Sequence, residues 1–345
     1  MSRSPGLLLF DLKAGQTSLR GLGLLLGVYL GALLIAAVLA PPVYWLVEWL
    51  AGHFPKNGTL AYLAGKSFHD YYDRVRWVPI VLALPWLLKV CGLTGLSALG
   101  VRFSRRDLLL WAGLLVAGYC LFRLATLTQG WATDVVRKPE RLDRSIALTL
   151  LSMLPGAVLI GLLEEVVFRG LVLRIFLSAF RSAWPAIVLG SLFFAAVHFK
   201  FPDPFWEGTG RVVEWHSGFY VAWWTLLGPL AEAQAAGLVG HFLASVVNYA
   251  LLGVVLAVLF IRTGSLLACA GMHSGLVLAM LTYGRLYNVQ AGEWHWLLGS
   301  TPIRDGLLAT VLLTLALAAV LRLKRGLATD SDTTDSLTNE ETKGA

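Results

Sequence analysis

The chain has 345 residues, of which 57% are hydrophobic and only 14% charged, with a mean hydropathy of +0.69; a soluble domain carries roughly 25% charged residues. The net charge of +7 comes from Lys and Arg set beside the apolar runs, where a membrane protein keeps its orienting charges, and no separate basic domain exists to hold nucleic acid. The three cysteines, Cys91, Cys120 and Cys269, lie in or against apolar runs and match no zinc or haem spacing.

Apolar runs near the length of a bilayer core alternate with short polar segments, which predicts an all-α, polytopic transmembrane helix bundle of about eight spans. The first twenty residues lack the apolar core of a secretory signal, so the first run reads as a retained anchor. That run covers 21–40 and stops at Pro41-Pro42, the apolar segment 43–50 either extends it or lies in the interface, and 51–76 is a polar excursion. Spans two and three follow at 77–95 and 108–128. Span four falls within 146–178, a stretch too long for one simple crossing of a ~30 Å core. Span five is placed at 183–199, and 218–237 reads as re-entrant or interfacial. Spans six, seven and eight are placed at 238–261, 265–283 and 306–321. Trp45, Trp49, Trp77, Trp131, Trp294 and Trp296 sit at run ends as interface anchors do. The distribution of Lys and Arg over alternate segments favours a cytoplasmic N-terminus in a multi-pass protein. No internal repeat is visible, which weighs against a transporter built on inverted repeats. The organisation expected is an N-terminal membrane region at 1–144, a core at 145–285, a last loop and span at 286–325, and a disordered polar tail at 326–345.

Ionisable residues inside apolar spans are costly, so each is a candidate for function. Three places qualify. In Gly161-Leu-Leu-Glu164-Glu165-Val-Val-Phe168-Arg169-Gly170, Glu165 and Arg169 stand four apart and share a helix face, in the favourable order for an ion pair. Glu164 is turned about 100° away and has no local partner. A carboxylate so placed suits a general base; a charged helix end at the interface is the plainer alternative. The second place is Phe194-Ala-Ala-Val-His198. If spans four and five pair antiparallel about Arg181, Glu164 and His198 lie seventeen residues to either side, about 25 Å along each helix and at matched depth. The third is Gly271-Met-His273-Ser-Gly275, whose small residues permit close helix approach. Each His alone is also compatible with simple packing.

Taken in order, Glu-Glu-x-x-x-Arg at 164–169, Phe-x-x-x-His at 194–198 and a His on a later span at 273 resemble the CPBP family of CAAX-type proteases, also called Rce1-like or ABI proteins. The resemblance covers roughly 145–285. It implies an intramembrane endopeptidase in which Glu164 is the base on water, His198 helps orient it, and His273 helps stabilise the oxyanion. It makes Arg169, with Glu165 and Phe194, structural support. The family's last motif carries Asn or Asp four residues after the second His; here the position is Val277. Asn248 on span six is the candidate substitute donor. Glu164, His198 and His273 are also a chemically reasonable zinc set, but the sequence has no His-Glu-x-x-His, and water activated directly by Glu and His needs no cofactor. The expected partners are the lipid bilayer and a membrane-associated peptide or protein, with no nucleic acid. Two other readings stand beside the protease: a catalytically impaired scaffold or immunity-type protein of the same fold, and a proton-coupled transporter.

Overall fold

The computed structural model describes residues 18–93, 95–132, 135–137, 145–180, 182–198, 212–235, 241–289, 297, 303–304 and 306–323. They form α1 (Ser18–His53), α2 (Gly58–Ala64), α3 (Phe68–Val90), α4 (Arg105–Ala132), β1 (Val135–Arg137), α5 (Ile146–Glu165), a π-helical segment (Val166–Val172), α6 (Leu173–Ala179), α7 (Ala183–His198), α8 (Ser217–Ala235), α9 (His241–Thr263), α10 (Leu266–Leu286), β2 (Tyr287–Val289) and α11 (Leu307–Arg322). The architecture is the helical bundle expected, with one short antiparallel ladder in which Val136 pairs Asn288. Five helical stretches among the described residues are long and apolar enough to cross a bilayer: Gly21–His53, Arg105–Thr126, Ile146–Ala179, Leu243–Thr263 and Leu266–Leu286. The apolar helices Ala183–His198 and Leu307–Arg322 are shorter. The polar tail at 326–345 and the aromatic loop around 201–206 lie outside the described residues.

α10 is the axis of the bundle, and nearly all of its residues are buried. It packs on α4 and α5, and small residues set the spacing. A side chain at Gly271 would run into the carbonyl of Trp111, one at Gly275 into that of Leu115, and one at Gly118 into that of Met272. In a lipid environment such close backbone approach supplies the packing energy that the hydrophobic effect cannot. The same device brings α5 against α10, where Gly161 faces the backbone of Ser274. The tight connection from α9 to α10 is local chemistry. Gly264 takes φ +64°, which ends the helix, and the Ser265 hydroxyl accepts the Ala268 N–H as the next N-cap.

Of the two readings of 43–50, the extension holds: α1 runs through Pro41-Pro42 to His53. Proline at 41 removes the N–H that would bond the Ala37 carbonyl. Gly218 of α8 packs directly on that carbonyl, in a place a side chain could not occupy, so α8 crosses α1 at close range there. The polar excursion is more ordered than expected: it holds α2 and the start of α3, which begins at Phe68 rather than near 77. Within it, Asn57 caps α2, and Tyr72 donates from α3 to the Leu33 carbonyl of α1 at 3.0 Å.

Candidate active site

The π-helical segment follows Glu165 directly; such segments are uncommon and tend to mark functional sites. Its flank carries the first ion pair. Arg169 Nη1 donates to Glu165 Oε1 at 2.8 Å, as the four-residue spacing predicts. Arg169 Nη2 donates to the Gly253 carbonyl of α9 at 3.1 Å, and its guanidinium lies 4.8 Å from the centre of the Phe194 ring. Glu165 is 0% and Arg169 2% exposed. Charges this deep are tolerated because each is paired and bonded.

Glu165 has a second partner that spacing along one helix cannot reveal. Its Oε1 also accepts from His273 Nδ1 at 2.7 Å, across a sequence separation of 108. The close contact of Gly161 with Ser274 brings α10 near enough for this bond. His198 is fixed in a parallel way. Its Nδ1 donates to the Phe194 carbonyl at 2.7 Å, and its ring lies on Phe194 with centroids 4.1 Å apart. Phe194 therefore supports the site twice, under His198 and under Arg169.

The remaining ring nitrogens converge. His198 Nε2 lies 3.2 Å from Glu164 Oε2, and His273 Nε2 lies 3.5 Å from the same oxygen. Both Nδ1 atoms face groups that can only accept, so both must carry hydrogen. In their neutral forms the two rings therefore turn lone pairs toward Glu164. The direct contact at 3.2 Å requires one proton held between carboxyl and imidazole. If the two side chains move apart from this contact, a water can bridge them and donate one hydrogen to each, which removes that need. Unlike the sealed Glu165, the side chains of Glu164 and His198 keep 14% and 20% exposure.

The site borders a small apolar cavity lined among others by Leu25, Tyr29, Arg76, Trp77, Phe168 and Val197. Phe168 packs against His198, and Val197 is the residue before it, so cavity and His198 share a wall. α1 and α3 supply the far side.

Asn248 is not available to the site. Its amide nitrogen donates to the Arg304 and Gly306 carbonyls at 3.3 and 3.2 Å, and its oxygen accepts from Thr310 at 2.7 Å. The residue is 0% exposed and ties α9 to the start of α11. The sequence-based assignment of Asn248 as a substitute oxyanion donor is corrected on this ground: both amide hydrogens are spent. Val277 belongs to an apolar cluster with Ala157 and Leu278.

Two imidazoles and a carboxylate are zinc ligands by chemistry, and carbonyl or carboxylate support behind each His is common in zinc sites. Among the described residues no group of three or more His, Cys, Asp or Glu is spaced as the ligands of a metal ion are. No step below is routed through one.

Residues 146–279 match the model of the type II CAAX prenyl endopeptidase Rce1-like family. No curated protein and no solved structure matches the chain. The long apolar helices and this match together make the chain an integral membrane protein.

Proposed function

We propose that residues 146–279, which match the Rce1-like family model, are a CAAX-type intramembrane endopeptidase domain, and that the chain hydrolyses a peptide bond of a membrane-associated substrate with water activated by Glu164 and His198. The observation that carries this reading is the approach of both His Nε2 atoms to one Glu164 oxygen, with every other polar atom of the two rings already committed. Water between Glu164 and His198 is held with its lone pair free for a carbonyl carbon. As its oxygen attacks, the proton passes to Glu164 and the carbonyl electron pair moves onto oxygen. Glu164 then returns the proton to the leaving amine as the C–N bond breaks. Glu165 orients His273 and stabilises the charge of its doubly protonated form, as a buried carboxylate does behind a catalytic imidazole. The second hydrogen of that ring points to the region where the oxyanion forms. Arg169 keeps Glu165 ionised and occupied, which leaves Glu164 as the base.

The apolar cavity at Phe168 and Val197 suits the apolar part of such a substrate, and a prenyl chain, named in the family's description, has that character. The N-terminus is placed on the cytoplasmic side by the Lys and Arg distribution. The test is a proteomic comparison of membranes containing the active protein or its Glu164→Gln variant at equal abundance. Peptides cut only in the first set identify substrates. Identical cleavage patterns favour the non-catalytic scaffold or immunity-type reading, which the apolar Val277 otherwise supports.

A further inference from the structure

Basic residues that lie far apart in the chain meet at one end of the folded bundle. The loop from α3 to α4 is tied to the turn from α9 to α10 by Leu266, whose N–H donates to the Gly100 carbonyl at 2.9 Å. Arg262, at the end of α9, donates to the Leu323 carbonyl just past α11 at 3.3 Å. Arg102, Arg105 and Arg106 therefore share this end with Arg262 and Arg322. Positive charge gathered at one end orients a chain in a membrane, but it does not account for the arrangement at the start of α4. Arg102, Arg105 and Arg106 are all exposed, and none has an ion pair or a side-chain hydrogen bond among the described residues. Asp107, the acid beside them, is buried and accepts from the Ser104 hydroxyl at 2.6 Å instead. Arg105, Arg106, Leu109 and Leu110 line one shallow, open hollow. Arg105 and Leu109 stand four apart and share a helix face, so the hollow is cationic at the end of α4 and apolar one turn further in. Leu109 is 63% exposed, and Phe103, between the arginines, 71%. The stretch Arg105–Thr126 is long and apolar enough to cross a bilayer, which sets the guanidinium groups at headgroup depth and the leucines at the depth of acyl chains.

We propose that the start of α4 is a binding site for an anionic phospholipid, with the phosphate held by Arg102, Arg105 and Arg106 and an acyl chain lying on Leu109 and Leu110. A guanidinium meets phosphate oxygens through two parallel N–H donors, and each cation at the membrane surface adds to the attraction for anionic lipid. A phospholipid presents charge and chain in the order in which the hollow presents arginine and leucine. A soluble acidic partner would meet only the arginines, with the leucines below the headgroups. The site is separate from Glu164 and does not depend on the peptidase reading.

The test is native mass spectrometry of the full chain in detergent, titrated with dioleoyl phosphatidylglycerol or dioleoyl phosphatidylcholine. The wild-type chain is expected to retain phosphatidylglycerol in preference to phosphatidylcholine. The triple variant Arg102→Gln, Arg105→Gln, Arg106→Gln should bind phosphatidylglycerol more weakly by a factor on the order of 10², roughly fivefold for each arginine, at unchanged Tm. If the triple variant does not fold, Arg105→Gln and Arg106→Gln taken singly should each show about the fivefold loss. Arg262→Gln with Arg322→Gln, at the same end but outside the hollow, should leave binding within about twofold of wild type. Glycerol phosphate, a headgroup without chains, should not displace the lipid. Equal retention of the two lipids overturns the proposal, as does full binding by the arginine variants. An equal loss in the Arg262 and Arg322 variant overturns it too, since binding would then belong to the charge of the whole end. Displacement by glycerol phosphate at lipid concentrations would leave a phosphate site with no part for the leucines, and the phospholipid assignment falls.

Discussion

Glu164 and Glu165 are adjacent, yet they belong to opposite halves of one site. The Glu165 half is closed: carboxylate, guanidinium and His273 Nδ1 are bonded to one another, and the Glu165 and Arg169 side chains are 0% and 3% exposed. The Glu164 half is open: its carboxylate meets two imidazole nitrogens without enough hydrogens to satisfy all three, beside a cavity. The difference separates stability from chemistry. In the closed half both bonds fall on Glu165 Oε1 while Oε2 is buried without a hydrogen-bond partner, so the charge there is paired with a cation but not every atom is satisfied; the open half has the exposure that a substrate and a water need.

The closed half breaks hardest. Arg169→Ala takes the cation away from buried Glu165 and leaves it only the His273 bond; losing the partner of a buried charge costs on the order of 3–5 kcal/mol. The measure is thermal unfolding in detergent together with yield, and unaltered stability would mean that the half is not closed. A smaller structural loss is expected from Asn248→Ala, which frees the Arg304 and Gly306 carbonyls and the Thr310 hydroxyl. Orphaning buried groups costs about 1–3 kcal/mol. Turnover per folded molecule should be preserved, since Asn248 faces α11 and not the open half. The smallest effect sharpens the open half. Because the proposed base on water is a carboxylate, exhaustive treatment with a strong chelator should leave cleavage within about twofold of the untreated rate. Loss restored by added zinc would place a metal at the open half instead.

How much of this was legible in the sequence follows from the range of each interaction. Pairing of Glu165 with Arg169 is a four-residue rule, and the approach of Glu164 to His198 follows from equal distances to a turn near Arg181. Gly271 and Gly275 beside His273 announced the close packing on α4. What escaped has no local period. The bond of Glu165 to His273 spans 108 residues. The close packing of Gly218 on the Ala37 carbonyl of α1 joins residues far apart along the chain. Asn248 looked like a donor near the site because a polar residue in a span suggests function. Its depth along α9 was readable; the face it presents to α11 was not.

The central claim is that Glu164, and not Glu165, takes the proton from water. It is tested most directly by measuring cleavage of one substrate peptide by Glu164→Gln and Glu165→Gln proteins at matched folded amounts. Glutamine keeps size and hydrogen bonding but cannot act as a base. The account predicts that Glu164→Gln loses a factor on the order of 10²–10⁴ in turnover at unchanged Tm. It predicts that Glu165→Gln loses stability first, and that its folded fraction loses turnover only through the His273 that Glu165 orients, less than Glu164→Gln does. Full cleavage by Glu164→Gln beside a well-folded, inactive Glu165→Gln would contradict it and reverse the two carboxylates.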